Sequence, residues 1–376
     1  MNRKRTWFVL GLTLFLVVLF IAGVISTQFQ RSDTSSQTSA ATIYKYNPQM
    51  RNFTLYVRDN VLKMPDGKQI YVFGYTNDPH GHAQVPGPTL VVNEGDTVNV
   101  TLINDKDPTK SRYFSGDGHT IHLHGLDLSS VYDGDPMTAP PRTANGDIIT
   151  TPAAEDSGIQ PIQGAVQEGQ RFTYHFVANY PGTYWYHCHM DVQEHVQMGM
   201  YGAFVIQPAG DSSRAYIDTP TFDKQYTFVL SEMDSVGHQI DHDNIYNNGP
   251  SMNWTHYKPD YFLLNGKAYP DTTADSDDSI NSRRGQTVLV RFVNAGSRVR
   301  VLHPDNLRFL VIGTDGRKLD QPYTEDTLQI GPAERYDVLL HLDQIGHFLL
   351  HDHIEKNSTS SSPLPDKVLT SINVNN

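Results

Sequence analysis

Tyr186-His187-Cys188-His189-Met190, followed by His195 and Met200, has to be read together with Gly118-His119-Thr120-Ile121-His122-Leu123-His124-Gly125. Side chains alternate across a strand, so His187 and His189 share one face while Cys188 points to the other. By the same parity His122 and His124 share a face, and His119 falls on the opposite one. The spacing predicts two sites back to back, one with four imidazoles and one with His119 and Cys188. His195 and Met200 complete the cysteine side. Two imidazoles, a thiolate and a weak axial thioether form the ligand set of a blue-copper site. Zinc also takes His and Cys, but a thioether ligand argues for copper. The four histidines opposite point to a copper cluster or a shared site, where zinc stays open on ligand type alone. His187, Cys188 and His189 bond the two sites together, so these three residues are expected to carry electrons between them.

Working outward, Cys188 is the single cysteine of 376 residues. Outside the cytoplasm it can make no intramolecular disulfide, and an exposed thiol there would oxidise. A small buried hydrophobe is the ordinary role for such a residue, and the flanking histidines override it. Around these motifs run short apolar or alternating segments broken by Gly, Pro, Asn and Asp. They include Thr54–Val57, Thr89–Val92, Val98–Leu102, Phe172–Phe176, Tyr226–Leu230, Val288–Phe292 and Tyr336–Leu340. Many short strands with turn signals predict an all-β chain of sandwich domains. The halves also repeat. Glu94-Gly95-Asp96-Thr97-Val98 and Arg284-Gly285-Gln286-Thr287-Val288 each precede a strand, and each leads toward an Asp-Gly pair at 133–134 or 315–316. Such a repeat predicts two domains, 44–210 and 222–376, joined near residues 210–222.

Asn2-Arg3-Lys4-Arg5 is basic, and Trp7 to Thr27 carries no charged residue. That run is long enough to span a bilayer with its basic end inside. Residues 1–27 are therefore expected to be a signal anchor holding the folded domains at the cell membrane on the extracytoplasmic side. If the segment is cleaved as a signal peptide, the protein is secreted. Residues 28–43 read as a flexible linker. The net charge of −12 makes a nucleic-acid partner an unlikely fit.

At these residues the chain resembles the multicopper oxidases, in the two-domain, laccase-like form. Val85-Pro86-Gly87-Pro88-Thr89 with Glu94-Gly95-Asp96 is similar to the family's opening signature, and Pro181–His187 and Gly199–Gly202 resemble its first-domain motifs. Asn265–Pro270, Thr314–Gly316 and Gly331–Asp337 look like its second domain. The resemblance implies two cupredoxin-like Greek-key β-sandwich domains and an enzyme of the oxidoreductase class with oxygen as acceptor. It implies a type 1 copper held by His119, Cys188, His195 and Met200. It also implies a type 2/type 3 trinuclear cluster, half of whose ligands are His122, His124, His187 and His189, where dioxygen is reduced to water. The electron donor would be a small molecule or a metal ion.

The chain also departs from the familiar pattern. Three-domain members carry Ser where Cys188 stands, whereas here the type 1 set falls in the first domain and no third domain follows. Two-domain members close their clusters between subunits, which implies a homotrimer and ligands from the second domain. His351 and His353, another same-face pair, and His303 are the candidates, yet no second His-x-His accompanies His303; His347 and the His80/His82 loop are further histidines in reach of the reading. A copper nitrite reductase and a non-enzymatic, membrane-tethered copper electron carrier are the competing expectations.

Overall fold

The strand-forming segments picked out by alternation are strands. In a computed structural model the described residues are 46–105, 118–140, 164–247, 249–353 and 367–376. The anchor and linker expected over residues 1–43 lie outside them. Among the described residues no helix is long and apolar enough to cross a membrane.

The first half contributes β1 (Met50–Lys63), β2 (Gln69–Thr76), β3 (Gly87–Asn93), β4 (Thr97–Asn104) and β5 (His122–His124). β6 (Gln170–Val177), β7 (Gly182–His187), helix α1 (Val192–Met198) and β8 (Tyr201–Gln207) follow. They form two four-stranded sheets, β2-β1-β4-β6 and β3-β8-β7-β5. The second half begins with β9 (Lys224–Met233), α2 (Ser235–Asn247), β10 (Tyr261–Leu264), β11 (Lys267–Ala268) and α3 (Asp271–Ala274). It continues through β12 (Ile280–Arg283), β13 (Thr287–Asn294), β14 (Arg300–Pro304), β15 (Phe309–Thr314) and β16 (Arg317–Glu325). It ends with β17 (Leu328–Ile330), β18 (Arg335–His341), β19 (Gly346–Asp352) and β20 (Lys367–Asn375). These make a sheet β11-β10-β9-β13-β18-β15-β16 and a second, β12-β20-β19-β14-β17.

The two halves share a pairing scheme. β1 runs parallel to β4 as β9 does to β13, and β3 runs parallel to β8 as β12 does to β20. The repeated Gly95 and Gly285 occupy the same connection, between β3 and β4 and between β12 and β13, at φ +88° and +86°. That left-handed turn conformation is open to glycine at little cost. The chain is thus mostly strand, with paired sheets consistent with cupredoxin-like sandwiches.

Each half has its own core. In β4 the pleat buries Val98, Val100 and Leu102 and turns the intervening residues outward. These pack with Tyr174, Tyr184, Tyr186, Phe204 and Cys188. Phe228, Val290, Phe292, Phe309, Val338 and Leu340 form the corresponding core of the second half.

β7 is buried along its whole length because both its faces are covered. Tyr184 and Tyr186 face the first core, while Trp185 belongs to a cluster with Tyr201, Val229, Met233, Leu263 and Val293 from both halves. A polar network seals the same junction. Asp337 accepts hydrogen bonds from Thr183 Oγ1, from Arg291 Nη1 at 3.3 Å and from Tyr216 Oη at 2.5 Å, all buried. The carboxylate neutralises a guanidinium that burial alone would disfavour. The strand that carries the histidine–cysteine motif is therefore clamped on both sides.

Candidate metal centre

β7 ends at His187, and Cys188 is the first residue beyond it. The chain then turns through Asp191 into α1, which carries His195, and passes through Met200 into β8. Backbone hydrogen bonds close this loop: Met200 N–H donates to His195 O at 2.9 Å, and Cys188 N–H donates to Met200 O at 3.0 Å. Cys188 Sγ lies 3.2 Å from His195 Nδ1 and 3.9 Å from His119 Nδ1. His119 arrives from the other motif, pinned by paired backbone bonds with Val166. All three side chains are buried, and their ligand atoms lie within 4.8 Å of one another. Met200 is fully buried beside them.

Burial sets the protonation states here. It pushes the Cys188 thiol up to about 11 and the His195 imidazole down to about 4. The imidazole is neutral and ready to coordinate at neutral pH, whereas the thiol gives up its proton only to a metal. The donor set fits copper: two neutral imidazoles and a sulfur converge at coordinating separations, with a thioether residue adjoining.

The other face gathers the remaining histidines, as strand parity requires. β5 and β7 are antiparallel with His122 opposite His187. His124 Nδ1 and His187 Nε2 are 3.2 Å apart, and His187 Nδ1 lies 2.9 Å from Cys188 O. Ligand atoms of His122, His124 and His187 come within 4.8 Å of one another. His189 stands beside them, its ring centre 5.0 Å from that of His122, with Asp135 3.9 Å from its Nδ1.

His122 is oriented by Asp133, whose carbonyl lies 2.7 Å and whose carboxylate lies 3.3 Å from Nδ1. This leaves Nε2 as the coordinating atom. Burial works against charge on His122, but the Asp133 contacts outweigh it and raise its pKa. Gly134 allows that approach, since a Cβ there would fall 2.1 Å from Ile121 O. For His124 and His187, burial lowers the pKa, to about 4 for His124. Crowded neutral imidazoles suit a metal site better than a proton-binding one.

A cavity of about 420 Å³ opens on these four histidines. Among the residues that line it are Trp185, whose buried Nε1 has no hydrogen-bond partner, and Glu232, whose buried Oε2 lies 3.7 Å from Arg300. Buried polar atoms are almost always satisfied, so Trp185 Nε1 is a donor left over beside the histidines. Burial raises the Glu232 pKa, with Arg300 opposing it.

The second-half histidines lie elsewhere. His303 on β14 is in register with His351 on β19. Ring centres of His303, His351 and His353 are 5.5–6.5 Å apart, so His303 joins the pair expected from the sequence. Among the described residues they form no third set of mutually close ligand atoms, and they do not line the cavity. Asp305 Oδ1 is 3.1 Å from His351 Nε2, leaving the buried Nδ1 without a partner.

Where the first half buries Cys188 between its two histidines, the second buries Asp352, paired with Arg300 in a site without access to solvent. An ion pair thus stands between the flanking histidines of the second half where a sulfur stands in the first. His347 is exposed and bonded to Asn373, and His80 and His82 are exposed. The roles of Asp305 and Glu232 were not legible in the sequence, because each acts on a segment distant in the chain, and that of Asp133 was not because it depends on the loop that folds back on His122.

The buried imidazoles make the metal-free protein acid-sensitive. His195 and the fully buried His238, both lowered to about 4 by burial, stay neutral in the fold while the unfolded chain takes up protons near the ordinary histidine range. Stability is therefore complete above about pH 6.5 and is lost as pH falls toward 4, by about 3 kcal/mol for each residue. His122 has the opposite sign, being one group whose raised pKa favours the fold at low pH. Urea titrations of metal-free protein at pH 7 and pH 5 should show the lower midpoint at pH 5. Equal midpoints would contradict the burial account.

Known proteins resemble this chain in sequence and fold. The chain is 28% identical to Laccase-25 of Oryza sativa subsp. japonica over 265 residues, 69% of this chain and 39% of that protein. It thus spans about two fifths of such relatives. The crystal structure of a blue copper oxidase from Nitrosomonas europaea superposes with a TM-score of 0.63 at 28% identity, covering 86% of both chains. A copper nitrite reductase from the same organism gives a TM-score of 0.60 at 23% identity, over 87% of this chain and 94% of that one, a likeness of fold. Sequence models described as multicopper oxidase match residues 61–210 and 225–372. Together with the paired sheets and the two histidine–cysteine faces, these matches place the chain in the multicopper oxidase family.

Proposed function

We propose that this protein is a copper-dependent oxidase that takes single electrons at the Cys188 site and reduces dioxygen to water at the histidine face. The observation that carries the reading is the bonded sequence His187-Cys188-His189, whose sulfur and imidazoles lie on opposite faces of one strand end. His119, Cys188 and His195, with Met200, would hold a type 1 copper. His122, His124, His187 and His189 would hold half of a trinuclear cluster. Copper bound there supplies one-electron redox steps at the thiolate and oxygen reduction at the imidazoles. The chain's own contribution is positional. Trp185 backs His187 with ring centres 4.4 Å apart, Asp133 fixes His122, and burial of Cys188 excludes water from the sulfur.

The His303, His351 and His353 patch would supply three further ligands to the cluster from a second copy of the chain, which is the reason to expect a homotrimer. An anchor at residues 1–27 would put this chemistry on the extracytoplasmic side of the cell membrane.

Nitrite reduction needs a single imidazole-bound copper beside the type 1 site. Three close histidines would serve that purpose, and His189 is the imidazole in excess. Oxygen and nitrite consumption by copper-loaded protein with a phenolic donor separates the readings. The oxidase consumes about one dioxygen for every four one-electron donor oxidations and leaves nitrite unchanged. Nitrite loss without oxygen uptake would establish the reductase, and neither activity in fully loaded protein would leave an electron carrier.

A further inference from the structure

Thr120 and Ile121 lie between His119, which pairs with Val166, and His122, which opens β5. The two residues belong to no strand, so their backbone groups have no ladder partners. Buried backbone groups need partners from elsewhere. Here side chains supply them. Tyr75 Oη donates to Thr120 O at 2.5 Å, and Ile121 N–H donates to Tyr174 Oη at 3.0 Å. The peptide unit joining Thr120 to Ile121 is held at its oxygen by one phenol and at its nitrogen by another.

Both phenols arrive by strand alternation. Tyr75 follows Tyr71 and Phe73 on the face of β2 that meets the first core, and Tyr174 stands between Phe172 and Phe176 on the inward face of β6. Tyr75, Thr120 and Tyr174 are wholly buried. A buried tyrosine hydroxyl takes a hydrogen-bond partner, and these two take the same peptide.

That peptide adjoins the sulfur. Thr120 N–H donates to Cys188 Sγ at 3.4 Å, and Thr120 Oγ1 accepts from His189 N–H at 2.8 Å. Thr120 thus meets the thiolate pocket through its amide and the histidine face through its hydroxyl. Burial, and then the charge at Cys188, push the Tyr75 phenol well above its ordinary pKa, so its O–H is kept as a donor.

We propose that Tyr75 and Tyr174 are positioning residues that set the reduction potential of the Cys188 site, by holding Thr120 with its N–H on the sulfur. The proposal rests on the type 1 copper role proposed above for that site. A hydrogen bond to a metal-bound sulfur draws electron density from it and so favours the reduced metal. Neither phenol is a ligand, and both act through the backbone.

The test is an anaerobic redox titration of copper-loaded protein against the ferrocyanide/ferricyanide couple, read at the thiolate absorption. Each ferrocyanide gives one electron to a cupric site, leaving ferricyanide and a cuprous site with the sulfur still bound. Tyr75→Phe and Tyr174→Phe keep the rings and remove one hydroxyl each. In either variant the reduced-to-oxidised ratio at a fixed poise should fall at least ~10-fold, a lowering of about 59 mV for one electron. Tyr184→Phe is the control. It removes a hydroxyl that donates to Gly316 O at 3.0 Å, at the junction of the halves, and should change the ratio less than ~2-fold. Ratios within ~2-fold of native in both clamp variants, or an equal fall in all three, would overturn the proposal. A fall in Tyr75→Phe alone would place the effect at the sulfur itself and overturn the backbone route.

A second measurement needs no metal. In metal-free Tyr75→Phe and Tyr174→Phe the amides of Thr120 and Ile121 should exchange with solvent at least ~10-fold faster than in native protein, while those of β4 stay within ~2-fold. Equal acceleration in both segments would reduce the phenols to packing and sink the proposal. Native protein with no thiolate absorption after copper loading would instead refute the copper reading, and the exchange rates would still decide whether the phenols hold the peptide.

Discussion

Replacement of Cys188 by Ser is expected to abolish the visible absorption of the copper-loaded protein and to lower steady-state donor oxidation at least ~1000-fold. The sulfur sits 3.2 Å and 3.9 Å from the two imidazoles that share its pocket, and no other sulfur donor of comparable basicity is placed there. A serine hydroxyl is a hard donor that stays protonated, so the soft bond that allows cycling between cupric and cuprous states is lost. The substitution nearly conserves volume. Thr120 N–H, 3.4 Å from the sulfur, remains available to the new oxygen. The variant should therefore fold at a cost of about 1–3 kcal/mol for burying a hydroxyl. It should also keep copper on the opposite face, because His122, His124 and His187 are held by β5, β7 and Asp133. Absorption spectra, metal content and oxygen uptake of the variant check each part. Retained colour would remove the thiolate from the account.

The largest effect on stability is expected at Asp352. Its carboxylate pairs with Arg300, and both side chains are wholly buried. Arg300 also donates to Ser231 O at 3.0 Å and lies 3.7 Å from Glu232, so a removed Asp352 leaves one partly satisfied guanidinium in the interior. Asp352→Ala should cost about 3–5 kcal/mol, measured by urea unfolding of metal-free protein. Replacing the partners together, Asp352→Leu with Arg300→Met and Glu232→Gln, should cost less than the single change, because no buried charge is then stranded. The thiolate absorption belongs to the other half and should be unchanged in either variant. A loss below about 1 kcal/mol for Asp352→Ala would mean that water reaches the guanidinium and that the burial assigned to it is wrong.

What the sequence revealed follows from backbone geometry. Parity along a strand is a local property, so the division of His187 and His189 from Cys188, and of His122 and His124 from His119, could be read without tertiary information. The repeated Gly95 and Gly285 marked matching turns for the same reason. Contacts between distant strands had no such signature. Nothing in the chain near Asp133, Glu232 or Asp305 indicates which imidazole or cavity each will meet.

The insertion between β9 and β10, which meets Glu194 and Gln197 of α1, was hidden for a different reason. α2 buries Ser235, Gly237, His238 and Asp241, polar or small residues held by specific partners, so no apolar period announces a packed helix. His303 could be proposed but not placed. It takes the antiparallel register of β14 with β19 to set it opposite His351.

The most direct test is to count copper per chain in the loaded protein while recording absorption and electron paramagnetic resonance on the same sample. The account predicts about four coppers per chain, one with the signature of a copper thiolate and the rest bound by imidazole. A single copper per chain, with the histidine face empty, would contradict it and leave Cys188 a ligand with no second site to serve.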